Sequence, residues 1–403
     1  MSEITFSRML DFWNQEDVLG LDEFASRQRL RLRHRRIPLP AWNEVLSIAL
    51  HGAGADVSEI GSTWVGSLAN MNVLREFEPA EIQSLGGAAA FHPFLWDTCH
   101  LPHTNVIVAT PWYLDLRVIY YRRDLLHQAG VDEVTAFETP YHLQDTLARL
   151  RALGIERPLA MATDSGGARI LHNVVSWIWA MGGDFRTPDG RQMTIQEAEA
   201  RKGLLAYYSL HPYLIRKDDS PDGLTTEHDA NALFYSGQAA VTLASASHYY
   251  HAYITGDPPL APIVAENFGV ASVLGAPFVG GCNLVIWRHC VHEEAALNLI
   301  RFLSSPAGAK KAFGALSALP ANITALRTLP IEHTPPYAAI LESLLKGRAI
   351  NTFFRWAILE EYFIVLFSRM WQDVLANPDM DIAAELEKRL VDFATKAQQT
   401  LLK

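Results

Sequence analysis

Strand-like and helix-like segments alternate through most of this chain, and this alternation limits the folds that it can adopt. Residues 56–71 (DVSEIGSTWVGSLANM) have the pattern of a short strand, a Gly-Ser-Thr turn and a helix. Residues 117–130 (RVIYYRRDLLHQAG) predict a strand that runs into a helix ending at Gly130. Because such alternation leaves helices to cover the faces of a sheet, it predicts an α/β fold with mostly parallel sheets flanked by helices.

Length and composition narrow the class of protein. The chain has 403 residues, of which 49% are hydrophobic, so two or three domains are expected. A formal net charge of −10 argues against a nucleic-acid-binding protein, whose binding face is basic. No apolar run reaches the roughly 18 residues that a membrane span needs. Three cysteines are too few for a disulfide scaffold, and an odd number leaves at least one free thiol.

Six segments, in a fixed order, carry a resemblance to a known family. They are DVSEIGSTWVGSLA (56–69), PWYLDLRVIYYRRDLLHQAG (111–130), ALFYSGQAAVTLASAS (232–247), GAPFVGGCNLVIW (275–287), EEAALNLIRFLSSP (293–306) and ALPAN (318–322). Together they resemble the extracellular solute-binding proteins of ABC importers, in particular the sugar-binding type (family 1) related to maltose-binding protein. The resemblance extends from Ile4 to about Gln399.

The resemblance implies a two-lobed periplasmic-binding-protein fold of the type II kind, with a ligand cleft between the lobes. The N-terminal lobe would comprise residues 1–111 and 277–326, and the C-terminal lobe residues 112–276 and 327–403. Hinges would lie near residues 110–112, where the strand-like segment NVIVATPW (105–112) ends, and near residues 275–277. Strand ends and Pro or Gly positions suit a hinge, because they absorb the backbone rotation of lobe closure.

The resemblance also implies a function without chemistry. The protein would bind a small polar solute, a mono- or oligosaccharide, and present it to ABC permease subunits. No cofactor, metal or nucleic acid is expected, and the protein would be a monomer, at most peripheral to a membrane. Residues 1–13 (MSEITFSRMLDFW) lack the basic and apolar regions of a signal peptide. The chain is therefore expected to be either a mature periplasmic or surface protein whose export signal was removed, or a cytoplasmic protein.

A sugar site needs flat aromatic rings for the faces of the sugar and polar groups for its hydroxyls. Trp112, Tyr113 and Asp115 flank the first expected hinge, with interlobe packing as the alternative role of the two aromatic residues. Trp64 follows a strand and a turn, where it either meets ligand or packs at a helix start. Trp13 lies just past the first strand, in what the resemblance implies is a cleft position.

Further candidates lie later in the chain. Trp177 and Trp179 are two residues apart on a predicted helix and so point to different faces, which lets one of them, Trp177, reach the ligand. Three other segments supply the remaining candidates. Tyr249 follows the strand-like segment VTLASAS (241–247), in place of the tryptophan that the family usually has there. Gly281 and Asn283 lie in a predicted loop where the backbone approaches ligand, and Arg355 and Trp356 lie at the start of a late helix where the family often places a stacking aromatic.

Other functions find less support in the sequence. A hydrolase acting on similar ligands would need two carboxylates facing each other, and Asp115 has no evident partner. The segment CHLPH, with Cys99, His100 and His103, resembles half of a metal site, but no second half follows at suitable spacing. A sensor that lacks an export signal and acts on a kinase or regulator keeps the same fold and remains the alternative.

Overall fold

The computed structural model describes residues 2–10, 19–38, 41–101, 104–188, 191–215, 223–246, 252, 256, 259–316, 319–329, 335–350 and 352–400. The chain divides into two compact units. Unit 1 contains residues 1–115, 279–333 and 349–357, and unit 2 contains residues 116–278, 334–348 and 358–403. Whether these units are lobes that close about the expected hinges stays a prediction.

The strands are β1 (Glu3–Leu10), β2 (Arg31–Pro38), β3 (Val57–Gly61), β4 (Thr110–Arg122), β5 (Leu159–Met161), β6 (Val241–Ser245), β7 (Phe268–Ser272), β8 (Val279–Ile286) and β9 (Leu319–Pro320). The helices are α1 (Leu21–Gln28), α2 (Trp42–His51), α3 (Val65–Asn70), α4 (Pro79–Ser84), α5 (Pro93–Asp97), α6 (Arg123–Gln128), α7 (Pro140–Ala152), α8 (Arg169–Ala180), α9 (Ala198–Tyr208), α10 (Glu227–Tyr235), α11 (Pro262–Asn267), α12 (Glu293–Ser304), α13 (Pro306–Leu316), α14 (Ile323–Arg327), α15 (Pro335–Lys346), α16 (Trp356–Ala376) and α17 (Ile382–Thr400). Short 3₁₀ turns occur at Ser62–Trp64, Ala88–Ala90 and His211–Tyr213.

The sheet of unit 1 is built around β1 and β3. Strand β1 pairs in parallel with β2 and with β3, and β3 pairs antiparallel with β8. The side chains of Ile4 and Phe6 on β1 and of Leu284 on β8 are fully buried. Burying one such side chain stabilises the fold by about 1.5–3 kcal/mol. The exposed strand β2 carries arginines that pair with acidic neighbours, as Arg33 does with Glu3 at 2.8 Å.

Helix α12 illustrates how a helix of unit 1 presents an apolar face to the core. Its buried residues Ala296, Leu299, Ile300 and Leu303 recur at three- and four-residue spacing, which places them on one face. Glu293 and Glu294 lie in its first turn, where negative charge suits the helix dipole. The helix therefore has one apolar face for the core.

The sheet of unit 2 is built around the second half of β4. Residues 117–121 pair antiparallel with β6, residues 118–122 pair antiparallel with β7, and β6 pairs in parallel with β5. Helices α8 and α9 pack closely because Gly203 lacks a side chain: a Cβ there would lie 2.4 Å from the carbonyl oxygen of Trp177. In the same unit, Phe363 of α16 and Phe393 of α17 have ring centroids 4.8 Å apart.

The α/β class is confirmed, with two corrections. The sheets are mixed rather than mostly parallel, because β4 and β8 run antiparallel to their partners. The predicted separate strands at 105–112 and from 117 are one strand, Thr110–Arg122, which continues through Pro111. Residues before Thr110 make backbone hydrogen bonds to loops instead; the Val108 N–H donates to the Cys99 carbonyl at 2.9 Å.

Candidate functional site

Strands β3, β4 and β8 bring several predicted site residues together within unit 1. The rings of Trp112 and Tyr113, adjacent on β4, have centroids 5.3 Å apart. The glycine at position 281 on β8 lies against the Tyr113 backbone. The carboxylate of Asp115 acts electrostatically on the Cys282 thiol. We call the following residues the β4–β8 cluster: Glu59, Trp112, Tyr113, Asp115, Gly281, Cys282 and Asn283.

Gly281 is required by this close approach. A Cβ at this position would lie 2.0 Å from the Tyr113 carbonyl oxygen, and its φ of +147° is rarely adopted by other residues. The prediction of a loop here was wrong, because Gly281 and Asn283 lie inside β8. The strand-to-strand contact accounts for the glycine, and its contact with a ligand stays a prediction.

Glu59, which the sequence analysis missed, organises the polar side of the cluster. Its carboxylate accepts hydrogen bonds from the Tyr113 hydroxyl and from the Met9 N–H, the latter at 3.1 Å. The Cys282 thiol lies within hydrogen-bonding reach of both Glu59 and Tyr113. The available signal was a charged residue within the strand-like segment VSEIG, with Arg8 in ITFSRML as its counterpart on β1.

Burial dominates the electrostatics of this cluster. Burial raises the pKa of the Glu59 carboxyl, while hydrogen bonds from Tyr113 and Met9 and the charge of Arg8 lower it. Burial also raises the pKa of the Tyr113 hydroxyl and of the Cys282 thiol. The pKa of Arg8 is lowered, again chiefly by burial. The Tyr113 hydroxyl and the Cys282 thiol therefore keep their protons near neutral pH, which suits binding better than proton transfer.

The members of the cluster differ in exposure. Trp112 and Asn283 are buried, at 1% and 0% exposure. The Asn283 Nδ2 donates to Thr98 Oγ1 at 2.9 Å. Tyr113 and Asp115 are only partly buried. Within the cluster, Tyr113 and Asp115 are thus the aromatic and acidic side chains with surface left to meet a solute.

Trp64 and Trp356 are packed into the protein. Trp64 ends the 3₁₀ turn after β3, and its ring centroid lies 5.5 Å from that of Trp42. Trp356 begins α16, as predicted, and is 1% exposed. The guanidinium of Arg355 lies 4.7 Å from the centroid of the Phe354 ring. Ligand contacts by Trp64, Arg355 and Trp356 stay predictions.

In unit 2, both tryptophans of α8 are buried. The Trp177 ring meets that of Tyr207 edge-on at 5.0 Å. The Trp179 ring lies 4.6 Å below the guanidinium of Arg348. The two rings do contact different neighbours, as their spacing predicted, but both serve the packing of unit 2. Ligand contact by Trp177 stays a prediction.

A second buried polar group in unit 2 was also missed from the sequence. Glu227 pairs with Arg117 on β4, and its Oε2 lies 2.5 Å from the Nε of Arg169 on α8. The N–H of Ser245 donates to the same carboxylate at 3.3 Å. We call Arg117, Arg169 and Glu227 the arginine–glutamate triad. It links the first turn of α10 to β4, β6 and α8.

Two predicted site residues, Trp13 and Tyr249, lie outside the described residues, as does His103 of the CHLPH segment. In the part of the chain that the structure describes, no three His, Cys, Asp or Glu residues are placed to hold a metal ion. Within that same part, no helix is both long and apolar enough to cross a membrane.

Comparison with solved structures identifies the class of protein that has this fold. Over 98% of this chain and all of the other, the fold matches the maltose-bound MalE3 of T. maritima, with a TM-score of 0.79 at 20% identity. It also matches an ABC transporter solute-binding protein of Thermotoga lettingae bound to α-D-tagatose, with a TM-score of 0.78 at 18% identity and full coverage of both chains. The fold is thus that of the two-lobed periplasmic binding proteins.

The family follows from the sequence itself. The model of the bacterial extracellular solute-binding protein family matches residues 41–310, so the chain belongs to this family. It is also 24% identical over 211 residues to a probable ABC transporter-binding protein of Deinococcus radiodurans. That alignment spans about half of each protein, 49% of this chain and 47% of the relative. The family and these structural relatives are substrate-binding proteins, not enzymes.

Proposed function

We propose that this protein binds a mono- or oligosaccharide and delivers it to the permease of an ABC importer in the periplasm or at the cell surface. The observation that carries the proposal is the β4–β8 cluster within a chain of this family. Tyr113 supplies an aromatic ring and Asp115 a carboxylate, and both are partly exposed, two residues apart on the same face of strand β4. Aromatic faces suit the C–H surface of a sugar, and carboxylates accept hydrogen bonds from its hydroxyls.

The structural relatives support the same class of solute. The T. maritima protein holds maltose, and the T. lettingae protein holds tagatose. The sugars therefore set the first panel for a binding screen: maltose and longer maltooligosaccharides, tagatose, and other hexoses and disaccharides. Polyols and glycerol phosphates complete the panel as polar solutes of other classes.

Thermal unfolding of the purified chain with each solute tests this proposal. A ligand that binds only the folded protein stabilises it by about 2.7 kcal/mol at a hundredfold excess over Kd, so a specific sugar should raise the melting temperature. The solute should be recovered unchanged after incubation. Turnover of the sugar, or a panel in which no carbohydrate shifts the transition, would count against the proposal.

A variant pair connects a positive result to the cluster. Asp115→Asn should weaken binding of the stabilising sugar by about tenfold, the loss expected from one charge-assisted hydrogen bond. Asp145→Asn is the matched control, because Asp145 is exposed on α7 and pairs only with Arg149 one turn away among the contacts that the structure records. Equal effects of the two variants would remove Asp115 from the site.

The expectation that solute binding brings the two units closer together stays a prediction. Small-angle scattering tests it with the sugar identified in the screen. A radius of gyration that does not fall on saturation would contradict hinge closure while leaving solute binding intact.

A further inference from the structure

Tyr113 is held by a set of contacts that decides which part of its side chain a solute can use. Its hydroxyl donates to Glu59, a residue 54 positions earlier in the chain. Its ring lies beside that of Trp112, which in turn meets Phe6 edge-on at 6.0 Å. Both ends of the tyrosine are therefore fixed by buried neighbours.

The hydrogen-bond capacity of Glu59 shows why the direction of this contact is fixed. One carboxylate oxygen faces the Tyr113 hydroxyl and the other faces the Met9 N–H. A backbone N–H can only donate, so Met9 requires an acceptor. The Tyr113 hydroxyl donates to the other oxygen, which is the direction that an ionised carboxylate requires. The hydroxyl proton is thus committed to the protein.

We propose that Glu59 is a positioning residue that fixes Tyr113 as a donor to the protein, so that the solute meets the ring of Tyr113 and cannot receive its hydroxyl proton. This inference rests on the proposed function, because it specifies how one residue of the proposed site is used. It implies that Tyr113 recognises an apolar face, such as the C–H patch of a sugar ring. Selection among hydroxyl patterns then falls to other groups, with Asp115 as the polar neighbour on the same strand.

Glu59→Gln separates this proposal from a packing role, since it preserves the size of the side chain. The glutamine amide has one acceptor oxygen, which Met9 requires, and an NH₂ group that can only donate. Tyr113 would then have to accept, and its proton would become available for another partner. Glu44→Gln is the control, because Glu44 is a partly exposed residue of α2, outside the β4–β8 cluster, that pairs with Arg35 at 3.2 Å.

The first measurement needs no ligand. Ultraviolet resonance Raman spectra are recorded for each protein and for the same protein with Tyr113→Phe. The difference between the two spectra isolates the signal of Tyr113 from those of the other twelve of the thirteen tyrosines. The tyrosine doublet should report a strong donor in the wild-type and Glu44→Gln proteins and an acceptor in Glu59→Gln. A donor signature that survives in Glu59→Gln would overturn the positioning role.

The second measurement uses a double-mutant cycle on the affinity for the stabilising sugar. Tyr113→Leu should weaken binding about tenfold more than Tyr113→Phe, because only the former removes the ring. Glu59→Gln should weaken binding several-fold in the wild type and by less in the Tyr113→Phe background, since there it has no hydroxyl to position. Additive losses, or a Tyr113→Phe loss equal to that of Tyr113→Leu, would overturn the proposal. If no sugar binds the wild-type protein, the proposed function fails, while the Raman result still decides the role of Glu59.

Discussion

Replacing Glu227 by glutamine tests how far the arginine–glutamate triad stabilises unit 2. The side chains of Arg117 and Glu227 are only 2% and 4% exposed, so their charges are shielded from water. Glutamine keeps the shape of the side chain but removes the charge that faces Arg117 and Arg169. Breaking a buried pair by removing the charge of one partner typically costs about 3–5 kcal/mol. We expect a loss of this size in the free energy of unfolding.

Urea denaturation measures this loss directly. With a slope of about 3 kcal/mol per M, at the upper end of the usual range, a loss of 3–5 kcal/mol lowers the midpoint by about 1–1.7 M. Hydrogen exchange with mass spectrometry should place the increased exchange in β4, β6, α8 and α10, the elements that the triad joins. Asp145→Asn again serves as the control, because that exposed pair contributes only about 0.3–0.5 kcal/mol. A Glu227→Gln loss below about 1 kcal/mol would refute the assignment of the triad as a main support of unit 2.

Three further outcomes are expected. Gly281→Ala should lower the unfolding free energy by more than about 4 kcal/mol, because the added Cβ would collide with the backbone of Tyr113. Gly130, with a φ of +65°, has no neighbour within 4 Å of such a Cβ, so Gly130→Ala should cost only about 1–2 kcal/mol in the same urea titration. Arg75 lowers the pKa of Glu81, so the stability that this carboxylate contributes should be present at pH 7 and lost as the pH falls below 4.5. The unfolding free energies of Glu81→Gln and of the wild type should therefore converge in acid, and a difference that stays constant with pH would contradict this. Burial raises the pKa of all three cysteines, to about 12 for Cys290, so an aromatic disulfide reagent at pH 8 should label none in the native protein and all three after denaturation.

Local patterns predicted the elements whose causes are local. The strand, turn and helix of residues 56–71 are present as β3, the turn Ser62–Trp64 and α3. The strand that runs into α6 was also predicted, because apolar runs and a closing glycine are visible in a short window. The segment 105–112 was wrongly predicted to be a separate strand. The first part of β4 pairs with β9 at Tyr113 and Leu114, and β9 lies about two hundred residues later in the chain, so a short window of sequence does not show where β4 begins.

The candidate site was predicted in part for a related reason. Tyr113, Asp115 and Gly281 were recognisable as residue types that suit a site, and the fold brings them into one cluster. The residue that fixes Tyr113, Glu59, looked like an ordinary charge in a strand. Its partnership with Tyr113 is set by tertiary pairing across 54 residues, which no local pattern records.

The division of the chain has a consequence for synthesis on the ribosome. Strand β3 of unit 1 pairs with β8, yet residues 116–278, all of them in unit 2, are translated between the two. While the ribosome synthesises residues 116–278, the edge of β3 that pairs with β8 in the folded protein therefore stays unpaired with β8. Long-range pairing of this kind slows folding and exposes a strand edge to other nascent chains. A stall introduced just before residue 279 should leave an intermediate that depends on chaperones, whereas a stall after residue 357 should leave every segment of unit 1 already synthesised.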